Sequence, residues 1–194
     1  MAIDVKHLQA RLGVAQDGVA GPVTFEALFA RMGAARTFAA ELGLAGSVHL
    51  PAFGLMERGL RLSHFLAQVA HESDGLRTME EYASGAAYEG RSDLGNTQSG
   101  DGRRYKGRGP LQLTGRANYR AYGQALGVDF ERHPEIATLP SLGLMVACRY
   151  WSVQGLNALA DADDLNGITR RINGGLNGLD DRRAKLAEAK ALLL

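Results

Sequence analysis

The sequence holds one cysteine, Cys148, so no disulfide can form within the chain and no cysteine-rich metal site is available. It also lacks any run of 18 apolar residues, the minimum for a membrane-spanning helix. The start, Met1-Ala2-Ile3-Asp4-Val5-Lys6, has neither the charged leader nor the apolar stretch of an export signal. The expectation is a protein made in the cytoplasm that does not insert into membranes and that must be released to reach any target in the periplasm. An excess of one charge is missing too. With 22 Lys and Arg against 21 Asp and Glu, a net charge of +1 gives no overall pull toward nucleic acid. The 5 histidines are scattered, so no metal or cofactor is expected.

What is present describes an ordinary globular protein, with 45% hydrophobic and 22% charged residues. A chain of 194 residues suits one domain with a small appendage. Cys148 lies in the apolar run 142–156 and reads as a buried thiol. Trp151 and Tyr150 share that run and read as core.

Residues 1–33 read as a helix, a tight turn and a second helix. Val5, Leu8 and Leu12 form the first apolar stripe, and Gly13 ends it. Asp17-Gly18-Val19-Ala20-Gly21-Pro22 is a turn in which glycines supply positive φ and Pro22 a fixed one. Thr24 then precedes Phe25, Ala27, Leu28, Phe29 and Met32. A short helix is predicted over 36–44, ending at Gly43, with a connection over 47–54 that carries Pro51. No Gly-, Ser- or Pro-rich linker intervenes, so the N-terminal piece is expected to be docked. Further helices are predicted over 118–126, 141–154, 164–172 and 180–194, with a turn at 134–137 and a break at Asn173-Gly174-Gly175. Strand signals are scarce, and only 105–113 suits a short hairpin strand.

The chemistry is placed at the end of the helix that carries Leu62, Phe65, Leu66 and Val69 on one apolar face. Glu72 leaves that helix at the edge of the face. Lost hydration there would raise its pKa and keep it protonated, the condition for a general acid. The same position equally suits a helix-end glutamate paired with an arginine. Beyond it, 74–110 has eight glycines and little periodicity, a long irregular excursion of the kind that compact domains keep for function.

Two other motifs fail. A zinc-protease reading of His71-Glu72 needs a second histidine at 75, which is Gly. Gly107-Arg108-Gly109 lacks the Gly-Lys-Ser/Thr that completes a phosphate loop.

The blocks Ala70-His71-Glu72-Ser73, Glu80-Glu81, Gly107-Arg108-Gly109-Pro110-Leu111-Gln112-Leu113-Thr114 and Ile172-Asn173-Gly174-Gly175 follow one another in order. Over about residues 60–185 they resemble glycoside hydrolase family 19, the family of plant chitinases and many phage endolysins. The compact, cysteine-poor form is more similar to the phage lysozymes. Leu8-Gln9, Leu12-Gly13-Val14, Asp17-Gly18 and Gly21-Pro22-Val23-Thr24 likewise resemble one repeat of a peptidoglycan-binding module. This divides the chain into 1–35, a partial wall-binding segment, and 36–194, a catalytic domain.

The resemblance implies a mainly α, lysozyme-like fold of two lobes, with a small β element and a long loop beside the cleft. It implies Glu72 as general acid, Glu81 as general base and Thr114 as the holder of the attacking water. Tyr82 stands where such sequences carry asparagine, so Glu80 and Glu89 remain alternatives for the base. Gln112, Asn118 and Asn173 match sugar-binding positions, and Tyr105 matches an aromatic beside the cleft. Asn177 stands near a place where the plant pattern has glutamate. Arg108, Arg170 and Arg171 are left as carboxylate-orienting or rim residues. The implied protein is a monomeric, cofactor-free endolysin acting on peptidoglycan strands, with chitin as the alternative polymer and a non-catalytic wall-binding protein as the lesser one.

Such chemistry needs one carboxylic acid to protonate the leaving oxygen and one carboxylate to activate water on the other face, about 6.5–9.5 Å away. The nine residues from Glu72 to Glu81 can span that gap.

Overall fold

The computed structural model describes residues 2–194. Among these the chain forms α1 (Val5–Leu12), α2 (Pro22–Arg31), α3 (Arg36–Ala52), α4 (Gly59–Glu72), α5 (Asp101–Arg104), α6 (Arg116–Leu126), α7 (Pro140–Val153), α8 (Leu156–Asp161), α9 (Leu165–Asn173) and α10 (Leu179–Leu193). Single 3-10 turns lie at Ala86–Tyr88, Ser92–Leu94 and Pro134–Thr138.

Local chemistry accounts for the helix ends. Asp4 caps α1 by accepting from the His7 amide at 3.1 Å, and Gly13 closes it in the left-handed conformation. The turn that follows is organised by buried Gln9, which donates to Asp17, Val19 and Thr24 and accepts from the Gly18 amide. Asp164 caps α9 through the Gly167 amide at 2.8 Å.

The sequence reading breaks a helix at Gly43, whereas α3 runs unbroken through Gly43 and Gly46 to Ala52. Those glycines mark helix packing. A Cβ at 43 would lie 2.6 Å from the Pro22 carbonyl, and one at 46 would lie 2.8 Å from the Phe29 ring. Pro51 sits in the last turn, where its ring brings the helix to an end.

The core is built around α4, along which α10 packs. Contrary to a single apolar face, every residue from Leu62 to Ala70 is buried, Ser63, His64 and Gln68 included. One apolar cluster joins α1, α2, α3, α4, α7, α8, α9 and α10, with Phe65 and Trp151 edge to face at 5.4 Å. A second gathers Tyr105, Leu113, Tyr119, Phe130 and Val146. Helix α7 contributes to both, so it forms the wall between two lobes. Cys148 is buried there, and burial pushes its thiol pKa up.

Between Ser73 and Gly115 the backbone is irregular, and polar groups hold it. Asn96, fully buried, donates to the Tyr88 carbonyl and accepts from the Arg116 amide, both at 2.9 Å. Buried Asp101 accepts from Arg116 at 2.9 and 2.5 Å. The hairpin strand expected over 105–113 reduces to isolated bridges, Glu80 with Arg108 and Arg108 with Leu113.

Candidate active site

Glu72 is the final residue of α4, and the chain turns sharply after it. Ser73 bonds back to the Val69 carbonyl, and Asp74, Gly75 and Leu76 then take left-handed φ values of 50°, 69° and 60°. For Asp74 and Leu76 that conformation is strained, and the full burial of Leu76 holds it in place. The consequence is a reversal that brings Glu80 and Glu81 back toward the helix end.

Glu72 and Glu81 line one open cleft of about 460 Å³, together with His71, Glu80, Tyr82 and Gln112. Gln112 also lines an adjoining hollow of about 250 Å³ with Thr114, Asn118, Tyr122 and Tyr150. The two hollows therefore share one side chain, Gln112.

Each glutamate is held differently. Glu81 Oε1 accepts from the Gly107 amide at 3.0 Å and Oε2 from the Tyr88 hydroxyl at 2.9 Å. Two donors suit an ionised carboxylate. Burial and the negative Glu81 together raise the Tyr88 pKa above its usual value. Glu72 Oε1 accepts from Arg182 Nη2 at 2.5 Å, and Oε2 has no donor among the described residues. The sequence expectation of an apolar surround for Glu72 is thus corrected: its near neighbour is a fully buried guanidinium, the paired arrangement that was the alternative. Beside it His71 Nδ1 meets Asp181 at 2.6 Å, so consecutive residues of α4 clasp consecutive residues of α10. Burial opposes ionisation of Asp181, but His71 and Lys185 overcome it and hold that carboxyl below its usual pKa.

The alternative bases are engaged elsewhere. Glu80 accepts from Arg108 at 3.0 Å and lies 3.4 Å from Lys106. Glu89 accepts from the Gly100 and Gly102 amides at 2.7 and 2.9 Å.

Thr114 donates to the Gln112 carbonyl at 2.8 Å, and Asn118 donates to the Thr114 carbonyl at 2.8 Å. Gln112 sits at φ 55°, with its amide on the Gly109 carbonyl at 3.0 Å. Asn173 is the exposed last residue of α9, outside the walls of both hollows. Tyr105 is not brought to the cleft. Its ring is 1% exposed under Arg116, and its hydroxyl donates to the Glu131 carbonyl at 3.0 Å, because the ring packs into the second cluster against Tyr119.

Other residues stand where the sequence did not place them. Tyr82, 83% exposed, is the open aromatic of the cleft. Tyr150 is a half-buried wall of the second hollow while Trp151 is core, and burial followed by the charge of Glu72 raises the Tyr150 pKa. Arg108 is a buried strut between Glu80 and Tyr119. Arg171 bonds the Gln154 carbonyl at 2.9 Å, and Arg170 is exposed. No sequence signal marked Arg182, which lies 110 residues beyond its partner.

Among the described residues no group of three or more His, Cys, Asp or Glu is placed to hold a metal ion, and no helix is long and apolar enough to cross a membrane.

The family model for class I chitinases of glycoside hydrolase family 19 matches residues 15–164, a stretch that includes α2. A glycosyl hydrolase family 19 domain-containing protein of Haemophilus influenzae is 32% identical over 193 residues, covering 82% of this chain and 90% of that one. An acidic endochitinase of Petunia hybrida is 31% identical over 173 residues, covering 76% and 66%. An endochitinase of Arabidopsis thaliana is 35% identical over 115 residues, and there the match spans 39% of the plant protein. In fold, the chain is similar to chitinase C from Streptomyces griseus, with a TM-score of 0.72 and 24% identity over 90% of this chain and 94% of that one.

Proposed function

The chain belongs to glycoside hydrolase family 19, and from that premise we propose that it is an endolysin cleaving the β-1,4 bonds of bacterial peptidoglycan with inversion. Glu72 is the acid, Glu81 the base, and Thr114 positions the water. The observation that carries this reading is the pair of carboxyl groups on one cleft, each fixed by its own donors. Glu81 is held through both oxygens, by Tyr88 and the Gly107 amide, which fixes its direction in the cleft. Glu72 has one oxygen fixed by Arg182, which leaves Oε2 to carry the proton delivered to the leaving group.

A sugar chain entering the trench would meet exposed Tyr82 as a stacking face and Gln112 and Asn118 as amide partners. Asn173 is retained as a contact for a longer chain that leaves the trench past the end of α9. Residues 1–35 are proposed to touch the wall polymer from their seat on the main core, where Val19 and Val23 stand 62% and 67% exposed beside the turn. The protein would then act after release through the membrane.

Chitin is the second reading, because the plant relatives are endochitinases and both polymers contain N-acetylglucosamine. Mass analysis of the sugar ends released from purified peptidoglycan, run beside chitin oligomers, decides between them. New reducing ends from peptidoglycan alone support the endolysin, release from chitin alone transfers the assignment, and release from neither removes both.

A further inference from the structure

Among the described residues, the buried side-chain polar atoms without a hydrogen-bond partner are Nδ1 of His64 and Nε2 of Gln68. Both belong to α4 and lie four residues apart, so they share one face, and Glu72 continues the same row a turn further on. The row is anchored at both ends. His64 Nε2 meets Asp163 Oδ1 at 2.7 Å, and Lys190 donates to the other oxygen of Asp163 at 2.6 Å. Gln68 Oε1 accepts from Arg182 Nη1, while Nη2 of the same guanidinium donates to Glu72.

Donor and acceptor order along the row has one consistent solution. Arginine only donates, so the Gln68 oxygen faces it and the Gln68 nitrogen remains a donor. A carboxylate only accepts, so His64 Nε2 carries the hydrogen toward Asp163 and Nδ1 remains an acceptor. A spare donor and a spare acceptor are thus left one helical turn apart in a buried place. We propose that one buried water joins them, accepting from Gln68 and donating to His64, and that Gln68 and His64 are positioning residues holding Arg182 in register on Glu72.

Such a water has the polar partners that buried waters require. The inference rests on Glu72 being the acid, and it extends that role along α4 to a residue pair outside the cleft. The ionisable groups around Glu72 are Arg182 from α10, Tyr150 from α7, and His71, Asp74, Glu80 and Glu81 at the cleft. Those around His64 are Asp163 and Asp164, between α8 and α9, and Lys190 from α10. Burial lowers the His64 pKa against the pull of Asp163, which keeps the ring neutral with a free lone pair. If the row is cut, the guanidinium is released from its second anchor and its contact with Glu72 loosens, so the acid is aimed less well at the cleft.

The test uses the full chain. Ring 15N shifts should show His64 as the Nε2–H tautomer, and the Arg182 Nη–H signals should exchange slowly. In Gln68→Met those arginine signals should be lost, and kcat should fall severalfold with KM nearly unchanged. Asp163→Asn, at an exposed residue away from the cleft, should mix the His64 tautomers and lower kcat less. An Nδ1–H tautomer in the parent protein overturns the proposal. So does a Gln68→Met protein with full kcat or with intact arginine signals. Should Gln68→Met not fold, an unchanged tautomer in Asp163→Asn overturns it alone. The nitrogen spectra need no substrate, so their failure removes the relay only, whereas a parent protein inactive on both glycans removes the parent reading.

Discussion

The Gly107 amide donates to Oε1 of Glu81 at 3.0 Å, and the space where a side chain at 107 would begin is filled by the amide end of Gln112. One missing Cβ therefore lets the Gln112 amide and Glu81 share a corner of the cleft, with the Thr114 hydroxyl 3.3 Å from the same point. Gly107→Ala should push the flexible end of Gln112 aside and leave the backbone in place. The expected outcome is a KM for glycan raised several-fold with the melting temperature nearly unchanged, read by kinetics and calorimetry on the same preparation. A large fall in melting temperature would mean that Gly107 serves the fold and not the cleft.

Replacing either carboxyl by an amide removes a proton carrier while keeping its shape. Glu72→Gln should lower kcat by at least about 10²–10⁴, the range for general acid or base catalysis, and Glu81→Gln should do nearly the same. Circular dichroism should be unchanged in both, since the amide at 72 keeps an oxygen to accept from Arg182 and Glu81 sits on the cleft. Full hydrolysis of purified wall material and of chitin oligomers by either variant would remove it from the mechanism.

Tyr88 places a hydroxyl 2.9 Å from the second oxygen of Glu81 and fixes where that carboxyl points. Tyr88→Phe deletes this donor, an interaction of about 1.5–3 kcal/mol when the acceptor is charged. Glu81 is then held by the Gly107 amide alone, and kcat should fall by about tenfold or more with KM little changed. A raised KM with kcat unchanged would show that the hydroxyl binds sugar instead.

Much of this was legible before any coordinates because it depends on local pattern. The spacing of Leu62, Phe65, Leu66 and Val69 gives α4, and the helix expected over 164–172 is α9. The motif residues Glu72, Glu81 and Gln112 line one cleft, and Gln112 and Thr114 line the hollow beside it. What escaped the sequence depends on distant chain. Gly43 reads as a helix end until Pro22 and Glu26 are seen pressed against it, 2.6 and 2.7 Å from where its Cβ would be. Arg182 looks like one more charge on a basic C-terminal helix, and only folding buries it beneath Glu72. Tyr105 has the composition of a binding aromatic, but the second lobe takes its ring for packing against Tyr119 at 5.4 Å. Periodicity reports which face is apolar and is silent on which polar groups the other elements will cover.

The irregular segment between the lobes depends on charge in a way that acid should expose. Hydrogen bonds from Arg116, set against burial, lower the Asp101 pKa below its usual 3.8 in the folded protein. A carboxyl with a depressed folded pKa contributes stability above its unfolded value and loses it as pH falls through the folded one. Above about pH 4 the pair is therefore fully stabilising, and below that it fades. Asp101→Asn leaves half-buried Arg116 with Glu131 at 3.3 Å as its remaining carboxylate partner, so the loss at pH 7 should fall toward or below the lower end of about 3–5 kcal/mol. Melting curves of the two proteins should lie well apart at neutral pH and converge as the pH is lowered toward 3. Curves separated by a constant interval across that range would show that Asp101 acts through its shape and not through its charge.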